Sequence, residues 1–400
     1  MTAENLLVAQ AGGPTPVLNA TLASILEEAR RDKRIGRVLG ARWGMAGLAR
    51  GDALDLSELT REEMERLRMS PGAALGSSRS KPSPADLVLI VQNLRRLGVR
   101  HLLLIGGNGS MQGAQVVSRS CREAGYEIQI IGIPKTVDND IAGTDRCPGY
   151  GSAARYVAQS ACDLGADVRS LPQPVSIFET MGRSVGWLAA ASVAAKCEPE
   201  DAPHLVYLPE RPFDMEGFLS DLDRVVTRLG WAVVVVSEGL RSTSGDLVYE
   251  TTDPAQADAL KRPLTGGVGQ FLAGIVARRL KIRCRSEKPG LLGRSSMLHA
   301  SVQDLKDAGL VGRVGVRAVL DGHTDQMVCL LPLPQDEDRG YSLAPLSDVA
   351  GKERPIPAAW LSETATSVNE SFLKYVRPLI GDLMRPHSPF RSSVGASGAS

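Results

Sequence analysis

The segment KTVDND places Lys135 and two aspartates, Asp138 and Asp140, within six residues directly after a predicted strand. A carboxylate in such a loop can take a proton from a hydroxyl group, and a lysine can neutralise the charge of a phosphate. A charged turn is also compatible with plain solvation, so this segment alone leaves both interpretations open. Phosphate-binding turns nearby would favour phosphoryl transfer.

Two glycine-rich turns follow other predicted strands. Gly12 and Gly13 in AQAGGPTPVLNA precede a predicted helix, and the turn from Gly107 to Ser110 in IGGNGSM would present backbone N–H groups to an anion. Glycine allows close backbone approach, and helix N-termini bind anions. Each turn alone is equally compatible with a tight connection, and neither has the GxGxxG or Walker spacing. The combination of all three turns favours a phosphotransferase over a plain binding fold.

Further cations could hold a phosphate chain or an anionic second substrate. Arg79 and Lys81 lie in a serine-rich loop, and Arg183 follows a predicted strand in FETMGRSVGWLA. Arg285 and Arg294 lie in RCRSEKPGLLGRSS, which is equally compatible with a basic solvated loop. The five histidines show no metal-binding spacing and are interpreted as structural.

Short apolar runs alternate with amphipathic stretches, which predicts parallel strands joined by crossover helices. The predicted strands include NLLVAQ, RVLGARW, HLLLIGG, IQIIGIP, PVSIFET, HLVYLPE and WAVVVVSEG. The stretches PVLNATLASILEEARRD and PADLVLIVQNLRRLG are predicted helices. Ligands of open parallel sheets gather beyond the carboxyl ends of strands, where the three turns lie. The sequence therefore predicts an α/β fold with mostly parallel sheets.

Composition and charge argue against several classes of protein. Four hundred residues, 43% of them hydrophobic, suit two domains with sizeable cores, and the net charge of +1 predicts no general attraction to nucleic acid or membranes. No apolar run approaches the ~20 residues of a membrane-spanning helix. The start, MTAENLLVAQAGG, lacks the basic region of a signal peptide. The six scattered cysteines predict reduced thiols in a cytoplasmic protein.

Motifs along the chain resemble those of the phosphofructokinase family, in the same order. The family's GGxxPxxN turn is matched from Gly12 to Asn19, its GGDGS turn by GGNGS, and its P[GK]TIDND loop by PKTVDND. Further matches are TDRCPGYGSAARY, ETMGRSVGWLA, YLPERPF, VVSEG, KPGLLGRSS and PLSDVAGKERPIPAAW. The resemblance covers residues 5 to 380 and implies two Rossmann-like three-layer α/β/α domains.

The resemblance also implies a division of the chain and roles for individual residues. Residues 1–168 would bind the phosphoryl donor, 169–310 the sugar phosphate, and 311–385 would pack back across both. The small, polar composition of residues 386–400 predicts a disordered tail. Asp138 resembles the general base, with Lys135 and Thr136 beside it. The expected substrate contacts are Thr136, Asp138, Asp140, Met181, Gly182, Arg183, Glu238, Arg285, Leu291 and Arg294. The expected donor contacts are Gly12, Gly13, Arg79, Lys81, Gly107, Asn108, Gly109 and Ser110.

The implied reaction is transfer of a phosphoryl group to the 1-hydroxyl of fructose 6-phosphate or a close relative such as sedoheptulose 7-phosphate. Lys135 favours pyrophosphate as donor, because ATP-using members have glycine there and a lysine can steady the pyrophosphate leaving group. Gly109 favours ATP, because pyrophosphate users carry an aspartate that fills the space of the α-phosphate. We interpret the two together as favouring pyrophosphate, with ATP as the alternative.

Several departures from the family leave a further alternative open, and Asn108 together with Gly109 is its main basis. Asn108 replaces a magnesium-binding aspartate, and an amide oxygen binds Mg²⁺ less strongly than a carboxylate does. Leu291 and Gly293 replace polar residues beside Arg294, and Pro174 replaces an arginine that reaches a neighbouring subunit in many ATP enzymes. A catalytically weakened paralogue that binds sugar phosphate as a regulatory subunit would show such changes.

The family resemblance also implies a cofactor and partners. Mg²⁺ is the expected cofactor, held weakly at Asn108, and fructose 6-phosphate with pyrophosphate or ATP are the expected ligands. Neither nucleic acid nor a membrane is expected as a partner. A homodimer or homotetramer is expected, because family members usually share sites between subunits.

Overall fold

Two β-sheets form the framework of the protein. The computed structural model describes residues 3–172, 175–251, 266–333, 340–364 and 366–386, so that Pro174 and residues 387–400 of the predicted tail lie outside the described part. The strands, in chain order, are β1 Glu4–Gln10, β2 Ile35–Ala41, β3 Ala53–Asp55, β4 Val99–Gly106, β5 Gln129–Pro134, β6 Val175–Thr180, β7 Leu205–Tyr207, β8 Ala232–Ser237, β9 Cys284–Glu287, β10 Gln326–Leu330 and β11 Tyr341–Pro345.

The first sheet has the strand order β11-β10-β5-β4-β1-β2-β3, and the second has the order β7-β8-β6-β9. Neighbouring strands are parallel, except that β3 and β11 run antiparallel to their neighbours at the edges of the first sheet. Side chains of β1 alternate between two cores, with Leu6 and Val8 on one face and Leu7 and Ala9 on the other. Burial on both faces is typical of parallel sheets covered by helices. The predicted α/β class is confirmed.

Helices cover both faces of the sheets. They are α1 Leu18–Ala29, α2 Gly44–Arg50, α3 Arg61–Arg68, α4 Pro84–Arg96, α5 Asn108–Glu123, α6 Tyr150–Arg169, α7 Trp187–Ala191, α8 Met215–Leu229, α9 Val268–Arg279, α10 Leu292–Ser295, α11 Val302–Leu320, α12 Leu346–Val349 and α13 Glu370–Ile380. Residues of α1, α3 and α11 pack on one face of the first sheet, and residues of α2, α4 and α5 on the other. In the described part of the chain, no helix is long and apolar enough to cross a membrane.

The seven predicted strands correspond to β1, β2, β4, β5, β6, β7 and β8. The segment RCRSEKPG, for which a basic loop was one interpretation, contains β9, because Cys284–Glu287 pairs in parallel with β6. Strands β10 and β11 extend the first sheet beyond β5. The predicted boundary between residues 168 and 169 falls at the end of α6, whose last residue is Arg169. The predicted boundary between residues 310 and 311 falls inside α11. The division into domains stays a prediction.

Candidate active site

Three turns meet at the carboxyl ends of the adjacent strands β1, β4 and β5. The N–H of Ala11 donates to the Ile105 carbonyl at 2.9 Å, and the N–H of Lys135 donates to the Gly106 carbonyl at 3.0 Å. The ammonium group of Lys135 then reaches across to the first turn and donates to the Gly13 carbonyl at 2.6 Å. The structure therefore brings the two predicted glycine turns and the predicted lysine into one site.

The first turn requires glycine because cations lie against its backbone. Gly12 has a φ of +79°, and a Cβ atom there would lie 3.1 Å from the Lys135 ammonium nitrogen. A Cβ atom on Gly13 would lie 2.9 Å from a guanidinium nitrogen of Arg294 and 3.8 Å from one of Arg79. A side chain at either position would displace the cations. The glycines thus allow three positive groups to face one turn.

Lys135 is held in an unusual electrostatic environment. Its side chain is buried, with 2% of the residue exposed. Burial, Arg294 and Arg79 lower its pKa to about 7, and the neighbouring carboxylates Asp138 and Asp140 oppose that shift. A negatively charged ligand would raise the pKa again, because it favours the ammonium form. The lysine is therefore arranged to gain or keep its proton when an anion binds.

The loop after β5 carries the two predicted carboxylates. The N–H of Asp138 donates to the Thr136 hydroxyl at 3.1 Å, which closes a tight turn between them. One carboxylate oxygen of Asp138 and one of Asp140 are buried without a hydrogen-bond partner. Buried acceptors normally have a partner, so unpartnered ones at a turn mark places where a substrate or ion would supply it.

Burial, Asp140 and Glu238 raise the pKa of Asp138 to about 7, against the opposing influence of Arg294 and Arg79. A carboxylate with a pKa near neutrality is a good general base, because it is ionised at working pH and still holds a proton well. The environment thus favours the role that the sequence implied for Asp138.

Asn108 contacts the same loop. Its amide nitrogen donates to the Asp140 carbonyl and to one Asp140 carboxylate oxygen, both at 3.1 Å. Its amide oxygen is buried without a partner, as is the other carboxylate oxygen of Asp140. An aspartate at position 108 would place a second negative charge beside the Asp140 carboxylate and repel it, whereas the Asn108 amide donates a hydrogen bond to that carboxylate. Asn108 therefore orients Asp140 and still offers an oxygen ligand.

The second glycine turn leaves open space at Gly109. No heavy atom lies within 4 Å of the place where a Cβ atom of Gly109 would be, and the residue is exposed. Helix α5 begins at Asn108, and the N–H of Ser110 already donates to the Gly107 carbonyl at 2.8 Å. The backbone donors available to an anion at this helix terminus are therefore the N–H groups of Asn108 and Gly109.

The loops after β6 and β8 lie side by side in the second half of the chain. Gly182 has a φ of +130°, and its carbonyl accepts hydrogen bonds from the Ser237 hydroxyl at 2.5 Å and from the Gly239 N–H at 3.2 Å. The N–H of Glu238 donates to the Thr180 carbonyl at 2.9 Å. These bonds fix the predicted sugar-binding segment from Met181 to Arg183 beside Glu238. Glu238 is also among the charges that raise the pKa of Asp138, which lies in the loop after β5 (residues 135–141), here called the catalytic loop because it carries the predicted base.

Not all of the predicted site residues come together. Arg79 and Arg294 face Gly13 and Lys135. The side chains of Lys81, Arg285 and Leu291 are exposed. The contacts described above, which join the other site residues, do not include these three side chains. Arg285 lies in β9, which is one of the two edge strands of the second sheet as described. Their predicted roles stay predictions.

Sequence reasoning missed a buried carboxylate that supports the catalytic loop. Asp304, near the start of α11, accepts hydrogen bonds from the Gly149 N–H at 2.8 Å and from the Ser152 N–H at 3.0 Å. Gly149 in turn pairs with Thr136 in an isolated bridge. Burial raises the pKa of Asp304 to about 6. Asp304 lies far from this loop in the sequence. The signal that the sequence offered was the motif TDRCPGYGSAARY, which contains the two partners of Asp304, Gly149 and Ser152.

Comparisons with known proteins show the family of the chain. The family model described as Phosphofructokinase matches residues 5–319. A pyrophosphate–fructose 6-phosphate 1-phosphotransferase of Xanthomonas campestris is 38% identical over 390 residues, which are 95% of this chain and 92% of that protein. A sulfofructose kinase of Alkalicoccus urumqiensis is 37% identical over 363 residues, 89% of this chain and 91% of that protein.

Solved structures give the same result. The crystal structure of a pyrophosphate-dependent phosphofructokinase from Marinobacter aquaeolei superimposes with a TM-score of 0.84 at 31% identity, covering 96% of this chain and 93% of that one. Fold and site together define a phosphotransferase with two mostly parallel sheets. The chain belongs to the phosphofructokinase family, which confirms the resemblance that its motifs indicated.

Proposed function

We propose that the protein is a pyrophosphate-dependent phosphofructokinase, which transfers a phosphoryl group from pyrophosphate to the 1-hydroxyl of fructose 6-phosphate. The observation that carries the proposal is the buried Lys135 ammonium group, which lies between the first glycine turn and the catalytic loop. It supplies a positive charge at the donor turn without requiring any contact to a nucleoside. The names of the Xanthomonas and Marinobacter relatives support this donor.

In the proposed reaction the 1-oxygen of the sugar attacks the terminal phosphorus of pyrophosphate. The bridging P–O bond breaks, inorganic phosphate leaves, and Asp138 takes the proton of the 1-hydroxyl. Lys135, Arg79 and Arg294 are positioned to stabilise the negative charge that develops on the transferred and leaving groups. Met181 to Arg183 and Glu238 would hold the sugar against the base.

The buried oxygens at the catalytic loop fit a magnesium ion. Asn108, Asp138 and Asp140 each have a side-chain oxygen that is buried and without a partner, and Mg²⁺ prefers such oxygen ligands. When bound, the ion would neutralise charge on the phosphate oxygens. Asn108 and Asp140 would hold it, and Asp138 would remain available to take the proton.

Asn108→Asp is expected to lower the Mg²⁺ concentration needed for half-maximal turnover about tenfold, because a second carboxylate beside Asp140 attracts a cation more strongly. Binding of Mn²⁺ to the protein without substrates, followed by electron paramagnetic resonance, should tighten in parallel. Gln112→Glu adds the same charge on an exposed position of α5 and serves as the matched control. Unchanged Mn²⁺ binding in Asn108→Asp would contradict a cation site here.

Gly109→Asp is expected to lower kcat/KM with ATP at least about 100-fold and with pyrophosphate less than threefold. The open space beside Gly109 admits the side chain, and its charge would repel an α-phosphate that pyrophosphate lacks. The inhibition constant of ATP against pyrophosphate provides a second measurement. Gly109→Ala fills the space without charge and should change neither donor much. Equal losses with both donors would contradict this account of donor choice.

The experiment that tests the proposal is formation of fructose 1,6-bisphosphate by the purified protein with Mg²⁺, with pyrophosphate and ATP offered in parallel. Turnover with pyrophosphate alone is the expected result. Turnover with ATP alone would mean that Gly109 decides the donor. Binding of fructose 6-phosphate without turnover on either donor would favour the catalytically weakened paralogue.

A second candidate substrate is sulfofructose, which the Alkalicoccus relative is named for. The observation that favours it is the loss of polar residues beside Arg294, where Leu291 is 64% exposed and position 293 is glycine. A sulfonate carries one negative charge, whereas a phosphate monoester carries close to two, so it requires fewer partners. Offering fructose 6-phosphate, sedoheptulose 7-phosphate and sulfofructose in parallel would rank them by kcat/KM.

The proposal extends to location and assembly. Six free cysteines, four of them buried, support a cytoplasmic enzyme, because structural disulfides are typical of oxidising compartments. We propose a homodimer or homotetramer, because members of the family usually share sites between subunits. Sedimentation velocity of the purified chain would establish the oligomeric state.

A further inference from the structure

The motif PLSDVAGKERPIPAAW has no role in the site described above. Its residues 353–356, here called the bridging segment, run along the catalytic loop. Glu353 pairs with Ile141 in an antiparallel bridge, and the N–H of Arg354 donates to the Asp140 carbonyl at 2.9 Å. The same carbonyl accepts from the Asn108 amide. The bridging segment and Asn108 therefore hold the same carbonyl group of the catalytic loop.

The bridging segment is also bonded to the end of the loop between β6 and α7 (residues 181–186), here called the sugar-binding loop because it contains the predicted sugar contacts. The indole N–H of Trp187, the first residue of α7, donates to the Arg354 carbonyl at 2.9 Å. The buried carboxylate of Glu210 accepts from the Gly186 N–H at 2.9 Å and from the Ile356 N–H at 3.2 Å. One segment thus links the loop that carries the base to the loop that would hold the sugar.

The side chain of Arg354 contacts both sides of this link. Its guanidinium group lies 4.3 Å above the Trp187 ring, a cation–π contact. One guanidinium nitrogen donates to the Tyr375 hydroxyl at 3.3 Å, and that hydroxyl also accepts from the Asn139 amide at 2.8 Å and donates to the Asp145 carbonyl at 2.8 Å. The Tyr375 hydroxyl thereby uses its one donor and both acceptor positions.

Asn139 is the residue between the two catalytic-loop carboxylates. It is fully buried and has a φ of +56°, a left-handed conformation that asparagine adopts more often than most residues but at a cost that support from its surroundings offsets. That support comes from Tyr375 on one side and from the Cys147 N–H, which donates to the Asn139 amide oxygen at 3.0 Å, on the other. Loss of the Tyr375 contact would let the carboxylates on either side shift.

We propose that Arg354 is a positioning residue for the reaction, an inference that rests on the proposed function. Arg354 contacts Tyr375, which in turn holds Asn139 and so fixes the positions of the neighbouring carboxylates. Its contact with Trp187 fixes these carboxylates relative to the sugar-binding loop. Arginine suits this position because its planar group can stack on an indole and donate to a hydroxyl at once. The base then reaches the 1-hydroxyl only while this link is intact.

Arg354→Met is expected to lower kcat about 100-fold and to change KM for either substrate less than threefold. A mutation far from the reacting atoms that displaces a catalytic group by about 1 Å can lower the rate about 100-fold. Arg354→Lys keeps the charge and should recover part of the loss. Tyr375→Phe, a milder change, should lower kcat about tenfold, and the double variant Arg354→Met with Tyr375→Phe should be no slower than Arg354→Met alone, because both act through one contact.

Arg377→Met removes an exposed arginine two residues from Tyr375 and is the matched control, expected to keep wild-type kcat. Hydrogen exchange of the peptide spanning residues 138–141, measured without substrates, should be faster in Arg354→Met and Tyr375→Phe than in wild type and Arg377→Met. This measurement needs no turnover, so it separates failure of the link from failure of the proposed function. Three results would overturn the proposal. They are hydrogen exchange at the wild-type rate in Arg354→Met, losses in kcat that add in the double variant, and a KM that rises in Arg354→Met while kcat stays unchanged.

Discussion

Asp138→Asn is expected to lower kcat for phosphoryl transfer about 1000-fold and to leave the dissociation constant of fructose 6-phosphate within threefold of wild type. The amide keeps the size of the carboxyl group but cannot take the proton of the 1-hydroxyl, and a general base typically contributes 10²–10⁴-fold. Single-turnover kinetics with pyrophosphate would measure the first quantity, and calorimetric titration with the sugar phosphate the second. A variant that retains turnover would remove Asp138 from the role of base.

Loss of fold cannot account for this result, because the charge of Asp138 opposes folding. The pKa of this carboxyl is raised to about 7 in the folded protein, above its ordinary value near 4. The folded state therefore binds more protons than the unfolded state between these values, and stability falls as pH rises through that window. Asp138→Asn removes the buried charge, so its Tm at pH 8 should equal or exceed that of wild type.

The same raised pKa predicts a limb in the pH profile of the wild-type enzyme. Below about pH 7 the carboxyl is protonated and cannot act as a base, so kcat/KM for the sugar should fall as pH falls through that value. An ordinary aspartate would place this limb near pH 4. A profile that stays flat down to pH 5 would contradict the environment described for Asp138.

The chemistry at the strand ends could be predicted from the sequence because its residues are close together along the chain. Lys135, Asp138 and Asp140 follow one strand, and strongly apolar runs define that strand and its neighbours. Since parallel strands in one sheet end at the same edge, three turns that follow three such strands lie along one edge, and they meet where those strands are neighbours. The structure shows that they do, and it adds the contact from the Lys135 ammonium group to Gly13.

The supports of the catalytic loop could not be predicted, because they come from distant parts of the chain. Arg354 and Tyr375 lie more than 200 residues after Asn139, and no local pattern marks them as its partners. The strands β10 and β11 were also missed, since the pairing of β10 with β5 and of β11 with β10 depends on tertiary contacts that carry no periodic signal of their own. The orientation of the Asn108 amide toward Asp140 required the three-dimensional arrangement as well.

Lys135→Met is expected to lower kcat/KM for pyrophosphate at least about 100-fold. Methionine fills most of the buried space without a charge, and removal of one preorganised group that stabilises developing negative charge typically has an effect of 10²–10³. The affinity for fructose 6-phosphate should change little, because the lysine faces the donor turn. Steady-state kinetics with each substrate varied would measure both effects, and Lys33→Met, at an exposed position between α1 and β2, is the matched control.

The pH dependence of donor binding separates a role of the Lys135 charge from a role of its shape. In the free protein its pKa is lowered to about 7, and bound pyrophosphate favours the protonated form. The dissociation constant of pyrophosphate should therefore rise as pH rises above about 7 in wild type, and this part of the rise should be absent in Lys135→Met. If both proteins show the same dependence above pH 7, another group binds the donor's charge, and the lysine cannot be what selects pyrophosphate.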